Sequence, residues 1–285
     1  MRVLVTGATG YVGRAVVREL QVHGHEPVVS YQRLSEPFGP IDADAVIHLA
    51  GAARVRESFE DPLHYYAVNV GGTLNLLKAL EGQRFLLAST AGVYRPSDVP
   101  LTEDSALEPS SPYAATKAAA EDLVAWAARS GRIGATTLRL FNVAGGGDTD
   151  TTRVITRAVA AAAGTVDGME VYGDGTAVRD FVHVRDVASA FVIALEACSV
   201  GESAVCNVGA TPASVRDVLD AVAEVSGRPV DVTWRPAHPG EVRMQRADVS
   251  RLRALGWQPS HSSLTDIVKD QWLASAPAPG RGPSR

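Results

Sequence analysis

Short apolar runs alternate with amphipathic stretches through the first half of the chain. Val3–Val5 reads as a buried strand, and Ala15–Leu20 as part of a helix. Val28 and Val29 predict a second strand, and Ala45–Leu49 a third. A helix over about 63–80, a strand at Phe85–Ala88, a helix from about Tyr113 to Ala128 and a strand at Thr136–Phe141 continue the rhythm. Strands separated in this way by helices build a parallel sheet covered on both faces. The expected fold class is α/β: a Rossmann-like doubly wound parallel sheet.

The rhythm changes after residue 143. Gly145-Gly146-Gly147 opens a loop, and Val154–Ala163 reads as a helix. Val171 and Tyr172 predict a short strand, Asp186–Glu196 a helix, and Val205–Val208 another strand. Ser214–Ser226 is helical, Val230–Thr233 extended, and Asp248–Leu255 a short helix. These pieces predict a smaller C-terminal lobe. The expected division is a dinucleotide-binding domain over 1–145, with a return segment near 178–209, and a substrate-binding lobe from 146–177 and 210–275. The Pro-, Gly- and Ser-rich tail 276–285 is expected to be disordered.

Composition narrows the functions. The 285 residues are 46% hydrophobic and 21% charged, with a net charge of −5 and no long basic run. Nucleic acid is not an expected partner, because phosphate backbones need clustered Lys and Arg. No apolar stretch reaches bilayer length, and Gly7 follows Met1 too closely for a signal peptide. Cys198 and Cys206 fit neither a disulfide framework nor a metal site. The histidines lack ligand spacing, and His48 and His183 sit inside apolar runs that suit satisfied structural histidines. A cytoplasmic protein without a metal is expected.

Gly7, Gly10 and Gly13 lie between the first strand and the first helix. The first permits a tight turn, the second a close approach of backbone to pyrophosphate, and the third close helix–strand packing. The helix N-terminus then faces the phosphates with free N–H groups. The cofactor's second specificity point is less usual. An Asp or Glu ordinarily follows the second strand and bonds the ribose of NAD. Here the residues are Ser30-Tyr31-Gln32-Arg33, and Arg33 suits the 2′-phosphate of NADP. The stretch to Asp44 is also short.

Tyr113 and Lys117 stand four apart on one helix face, after Ser111-Pro112. A lysine ammonium beside a phenol lowers its pKa and makes it a usable acid/base. Upstream, the strand at 85–88 runs into Ser89 and Thr90, and Val93-Tyr94 follows. This Thr90–Tyr113–Lys117 set resembles the Ser/Thr–Tyr–Lys triad of the extended short-chain dehydrogenase/reductases of the NAD-dependent epimerase/dehydratase type, in particular its nucleotide-sugar 4-epimerases. The G-x-x-G-x-x-G spacing is similar to that family's, as is the segment Val46–Ala52. The runs Tyr66–Thr73, Leu138–Val143, Tyr172–Gly175, Arg179–Val184 and Pro239–Arg243 also resemble it, so that the likeness spans about residues 2–258.

The resemblance implies roles residue by residue. Thr90, Tyr113 and Lys117 would be catalytic. Gly7, Gly10, Tyr11, Val12, Gly13, Arg33, Leu49, Ala50, Gly51, Asn69, Ala88, Ser89 and Phe141 would contact the cofactor, together with Tyr113 and Lys117. Asn142, Arg179, Glu241 and Arg243, with Thr90, would hold a nucleoside-diphosphate sugar. NAD is the implied cofactor, with NADP open through Arg33. Dehydrating relatives carry Asp-Glu straight after the Thr, and decarboxylating ones a Glu just before Val-Tyr. Ala91 and Gly92 stand there, so both chemistries are set aside. Epimerisation at C4 through a transient 4-keto sugar leads. An NADPH-dependent 4-ketoreductase and a catalytically silent cofactor sensor remain as alternatives. Relatives pair through the helices near 65–80 and 113–128, so a homodimer is expected.

Overall fold

The structure, a computed structural model, describes residues 1–237 and 243–275. Its strands are β1 (Arg2–Thr6), β2 (Glu26–Ser30), β3 (Ala45–His48), β4 (Arg84–Thr90), β5 (Gly134–Leu140), β6 (Asn142–Ala144), β7 (Met169–Tyr172), β8 (Val178–His183), β9 (Ser203–Val208), β10 (Thr211–Ser214), β11 (Val232–Arg235) and β12 (Met244–Gln245). Its helices are α1 (Tyr11–Val22), α2 (Val55–Glu60), α3 (Pro62–Tyr65), α4 (Gly72–Lys78), α5 (Pro112–Arg129), α6 (Val154–Ala162), α7 (Val184–Ala197), α8 (Val215–Ser226), α9 (Ser250–Ala254) and α10 (Leu264–Ser275).

Six parallel strands form the main sheet in the order β2-β1-β3-β4-β5-β9. Direction reverses around β1, and the crevice beyond the strand ends at such a point is where doubly wound folds bind ligands. Both faces are buried. Val3, Val5, Ile47 and Leu86 pack toward α1 and α7, with Val16, Leu20 and Phe191. Val46, Phe85 and Leu87 pack on the other face, toward α4 and α5, with Leu76 and Val124. Burial on both sides explains why these strands read as continuous apolar runs.

β9 completes the main sheet beside β5, and α7 packs on α1. β8 does not join that sheet. It pairs with β6, β10 and β12 in a separate small sheet. A second core, including Ile155, Val159, Val218 and Val222, closes between α6, α8 and α10. The sequence reading did not mark α10, although Ile267 and Val268 are fully buried there.

The helix expected over about 63–80 is broken into pieces. α3 runs into a π-helical segment, Tyr66–Gly71, and then α4. Between β2 and β3 the chain forms no helix or strand. The sheet therefore ends at β2, one strand beyond β1.

Candidate active site

A cavity of about 540 Å³ opens at the carboxyl ends of β3, β4 and β5, under the start of α6. Thr90, Tyr113, Lys117, Asn142 and Arg179 all line it, as do Val12, Leu49, Gly51, Ala88, Ser89 and Phe141. Residues from Val12 to Val215, remote in sequence, thus meet around one space.

Helix α5 presents the tyrosine and the lysine. Ser111 caps it by accepting from the Ala114 N–H at 3.2 Å, and Pro112 fits its first turn. Thr90 is the last residue of β4, and its hydroxyl hydrogen-bonds to the Tyr113 phenol. Burial raises the phenol's pKa, while that bond and the Arg153 charge oppose the rise. The expected lowering by Lys117 is not what this geometry gives. The Lys117 ammonium donates instead to the Ala88 carbonyl at 2.9 Å. Burial brings its own pKa down to about 8, against the pull of Glu121 one turn further along α5.

Glu121 anchors a buried polar layer beneath the site. It accepts from both Nε and Nη2 of Arg139, and the Ser89 hydroxyl donates to it. Arg139 also donates to the Tyr94 hydroxyl at 2.9 Å and the Glu103 carbonyl at 3.0 Å.

The glycine turn is sterically obligatory. Gly7 has φ +71°, and a Cβ there would fall 2.7 Å from the Ala50 nitrogen. A Cβ on Gly13 would fall 2.1 Å from the Gly7 carbonyl oxygen. Gly10 caps α1 without any side-chain bond, and the first turn carries no acid, so its N–H groups suit an anion. A dinucleotide pyrophosphate fits this cradle. Tyr11 turns away from it and donates to the Gly145 carbonyl at 2.9 Å, which ties the turn to the triple-glycine loop.

Asn69 is buried outside the cavity wall. In the π-helical segment it accepts from the Ala52 N–H at 2.8 Å and donates to the Ala52 carbonyl at 3.0 Å and Thr116 Oγ1 at 2.9 Å. It fixes the loop after β3 against α5. The Arg33 side chain is exposed and makes no hydrogen bond or ion pair among the described residues. Arg243 is exposed and lies outside the cavity lining, with its carbonyl accepting from Val178 N–H. Glu241 lies outside the described residues, as does the tail 276–285. The Arg179 guanidinium donates to the Val178 carbonyl at 3.0 Å.

Sequence reading missed Arg153. It stands at the N-terminus of α6, lines the cavity, pairs with the buried Asp148 at 3.3 Å and lies 5.7 Å from the Tyr11 ring centroid. No spacing rule singles out an arginine in the loop 145–153. Among the described residues there is no cluster able to hold a metal, and no helix long and apolar enough to cross a membrane.

The sequence signature of the NAD dependent epimerase/dehydratase family matches residues 3–209. The chain belongs to that family. Its relatives in the family include a UDP-glucose 4-epimerase of Lacticaseibacillus casei, 31% identical over 95% of this chain and 96% of the other. A UDP-glucose 4-epimerase of Brucella ovis, solved with NAD, superposes with a TM-score of 0.86 at 32% identity, covering 95% of this chain and 97% of that one. A Stenotrophomonas maltophila UDP-glucose-4-epimerase, solved with NAD and formylated UDP-arabinopyranose, gives 0.88 at 29% identity, covering 96% and 97%. The fold of these solved relatives thus extends over nearly the whole of this chain.

Proposed function

We propose that this chain is an NAD-dependent 4-epimerase of a nucleoside-diphosphate sugar. The observation that carries the reading is the convergence of Thr90, Tyr113 and Lys117 at one cavity, above the glycine cradle and beside Asn142 and Arg179. The named relatives point the same way. Bound NAD supplies a reversible hydride acceptor. Tyr113 takes the proton from the sugar C4 hydroxyl as the ketone forms and returns it afterwards. Thr90 and the Arg153 charge stabilise its phenolate. Lys117, steadied by the Ala88 carbonyl, would hold the cofactor's ribose. Arg179 suits the substrate diphosphate because a guanidinium fork pairs two phosphate oxygens. Asn142, Glu241 and Arg243 complete the nucleotide contacts in this reading. Residues 1–145 serve the cofactor and the second lobe serves the sugar nucleotide.

The test uses UDP-glucose and related UDP-sugars, with inversion at C4 followed by NMR. A substrate deuterated at C4 should keep its label through inversion, because the hydride returns to the same carbon. Tyr113→Phe should lower kcat at least about 100-fold with circular dichroism unchanged. Near-normal turnover in that variant, or no inversion of any nucleotide sugar, would sink the assignment.

A further inference from the structure

The dinucleotide cradle is complete at one end and unwalled at the other. At the pyrophosphate, Gly7, Gly10 and Gly13 leave room that any side chain would fill. At the nicotinamide end, Val12, Ala88, Lys117 and Phe141 close the cavity. At the adenosine end the sheet simply stops. β2 is its edge strand, and 31–44 reaches β3 without forming a helix or a strand. Dinucleotide folds of the usual order carry a third strand outside the second and an acid just past it.

Nothing in this segment replaces those parts. Ser30 Oγ accepts from the Gln32 N–H, and the Gln32 amide is spent on the Pro37 carbonyl at 2.8 Å. Tyr31 is 82% exposed. Asp44 accepts from the Arg2 N–H and Asp42 pairs with the Arg2 side chain, which holds both acids at the opposite, amino ends of the strands. Glu36 lies across a turn closed by its own N–H on the Arg33 carbonyl. The segment folds back on the sheet instead. Leu34 is buried so tightly on Gly72 that a Cβ there would lie 2.7 Å from Leu34 Cβ. Asn75 fastens the Leu34 carbonyl at 2.9 Å. Past β2 the charged side chains with no partner among the described residues are the Arg33 guanidinium, three residues beyond the strand end, and the Glu36 carboxylate, three further on across the turn.

We propose that this chain takes its dinucleotide from solution and releases it, and that it accepts NAD and NADP alike. The inference rests on the cofactor reading above. The physical reason is the missing carboxylate. Charge-assisted bonds to the adenosine ribose hydroxyls would tighten NAD by roughly 10–100-fold and repel a 2′-phosphate. Arg33, free and exposed, gives that phosphate a counter-charge instead.

The full chain, desalted and acid-denatured, should release less than about one tenth of an equivalent of nucleotide. Titration of the folded protein, followed by calorimetry, should give Kd values for NAD and NADP within about fivefold of each other. Arg33→Ala should weaken NADP about tenfold and leave NAD unchanged. Tyr31→Asp, at an exposed position, should tighten NAD and weaken NADP. Stoichiometric NAD carried through purification, or a preference for NAD above about 50-fold, would overturn the proposal while leaving the epimerase reading intact. Failure of the folded protein to bind either nucleotide would overturn both.

Discussion

His48 sits within reach of the site yet belongs to the scaffold. Ala50 N–H donates to Thr6 Oγ1 at 3.3 Å, and Thr6 Oγ1 lies 2.7 Å from His48 Nδ1. His48 Nε2 lies 3.2 Å from Thr73 Oγ1, whose hydroxyl donates to the Asn69 carbonyl. Each donor in this chain finds one acceptor only if the ring carries its proton on Nε2. A second ring proton, on Nδ1, would take away the acceptor of the Thr6 hydroxyl, and burial with the nearby Lys117 charge brings the pKa down to about 3. The unfolded chain therefore binds a proton below about pH 6.5 that the folded chain refuses until about pH 3, so stability falls as pH drops through that window. Asp180 works in the opposite sense: its carboxyl, raised to about 6 by burial, gains a proton earlier in the folded state. The comparison must then be between proteins that share Asp180. From pH 7 to 5, the wild type should lose about 2 kcal/mol more unfolding free energy than His48→Gln, measured by urea titration. Equal pH slopes would refute this. The apolar run around His48 already argued for a structural histidine; its partners, 25 and 42 positions away, come only from the fold.

Helix α5 joins three functions on one scaffold. Its first turn carries Tyr113, the next Lys117 and the next Glu121. Glu121 and Arg139 are buried, with side chains 9% and 6% exposed, so each depends on the other. Removing one charge from such a pair strands the other. Glu121→Leu should cost about 3–5 kcal/mol in chemical denaturation. Adding Arg139→Met should recover most of that loss, because the uncompensated buried charge is then gone. A double variant no more stable than the single would refute the pairing argument. The helix itself was legible from Ser111-Pro112 and the apolar positions behind it. The π-helical turn at 66–71 was not. Its extra residue per turn brings Asn69 onto Ala52 and Thr116, and a hydrophobic period averaged over a whole helix hides one irregular turn. α10 escaped for a related reason: with only three buried residues in twelve, its periodicity is weak.

Across the whole molecule, apolar side chains stay exposed on the elements that pack around α5. Phe59 is 61% exposed, Leu63 79% and Trp126 61%, and Val55, Tyr66 and Leu74 join them. A cluster of this kind marks an association surface, and a symmetric pair of copies would cover it. Sedimentation should report twice the chain mass, and Leu63→Glu with Trp126→Glu should yield a folded monomer. A monomeric wild type would remove the homodimer from the reading.

The doubly wound sheet, the glycine turn and the Tyr–Lys step were legible in the order of residues. Each is a local pattern: apolar runs buried on both faces, a backbone that admits no Cβ, and a fixed four-residue step on a helix. Where charges meet was set by the fold. It sent the Lys117 ammonium to the Ala88 carbonyl rather than to the phenol, and it brought Arg153 to the cavity. It buried Glu121 against Arg139 and left the adenosine end without a wall. Electrostatic partners and missing walls depend on distances between remote segments, and no spacing along the chain encodes them.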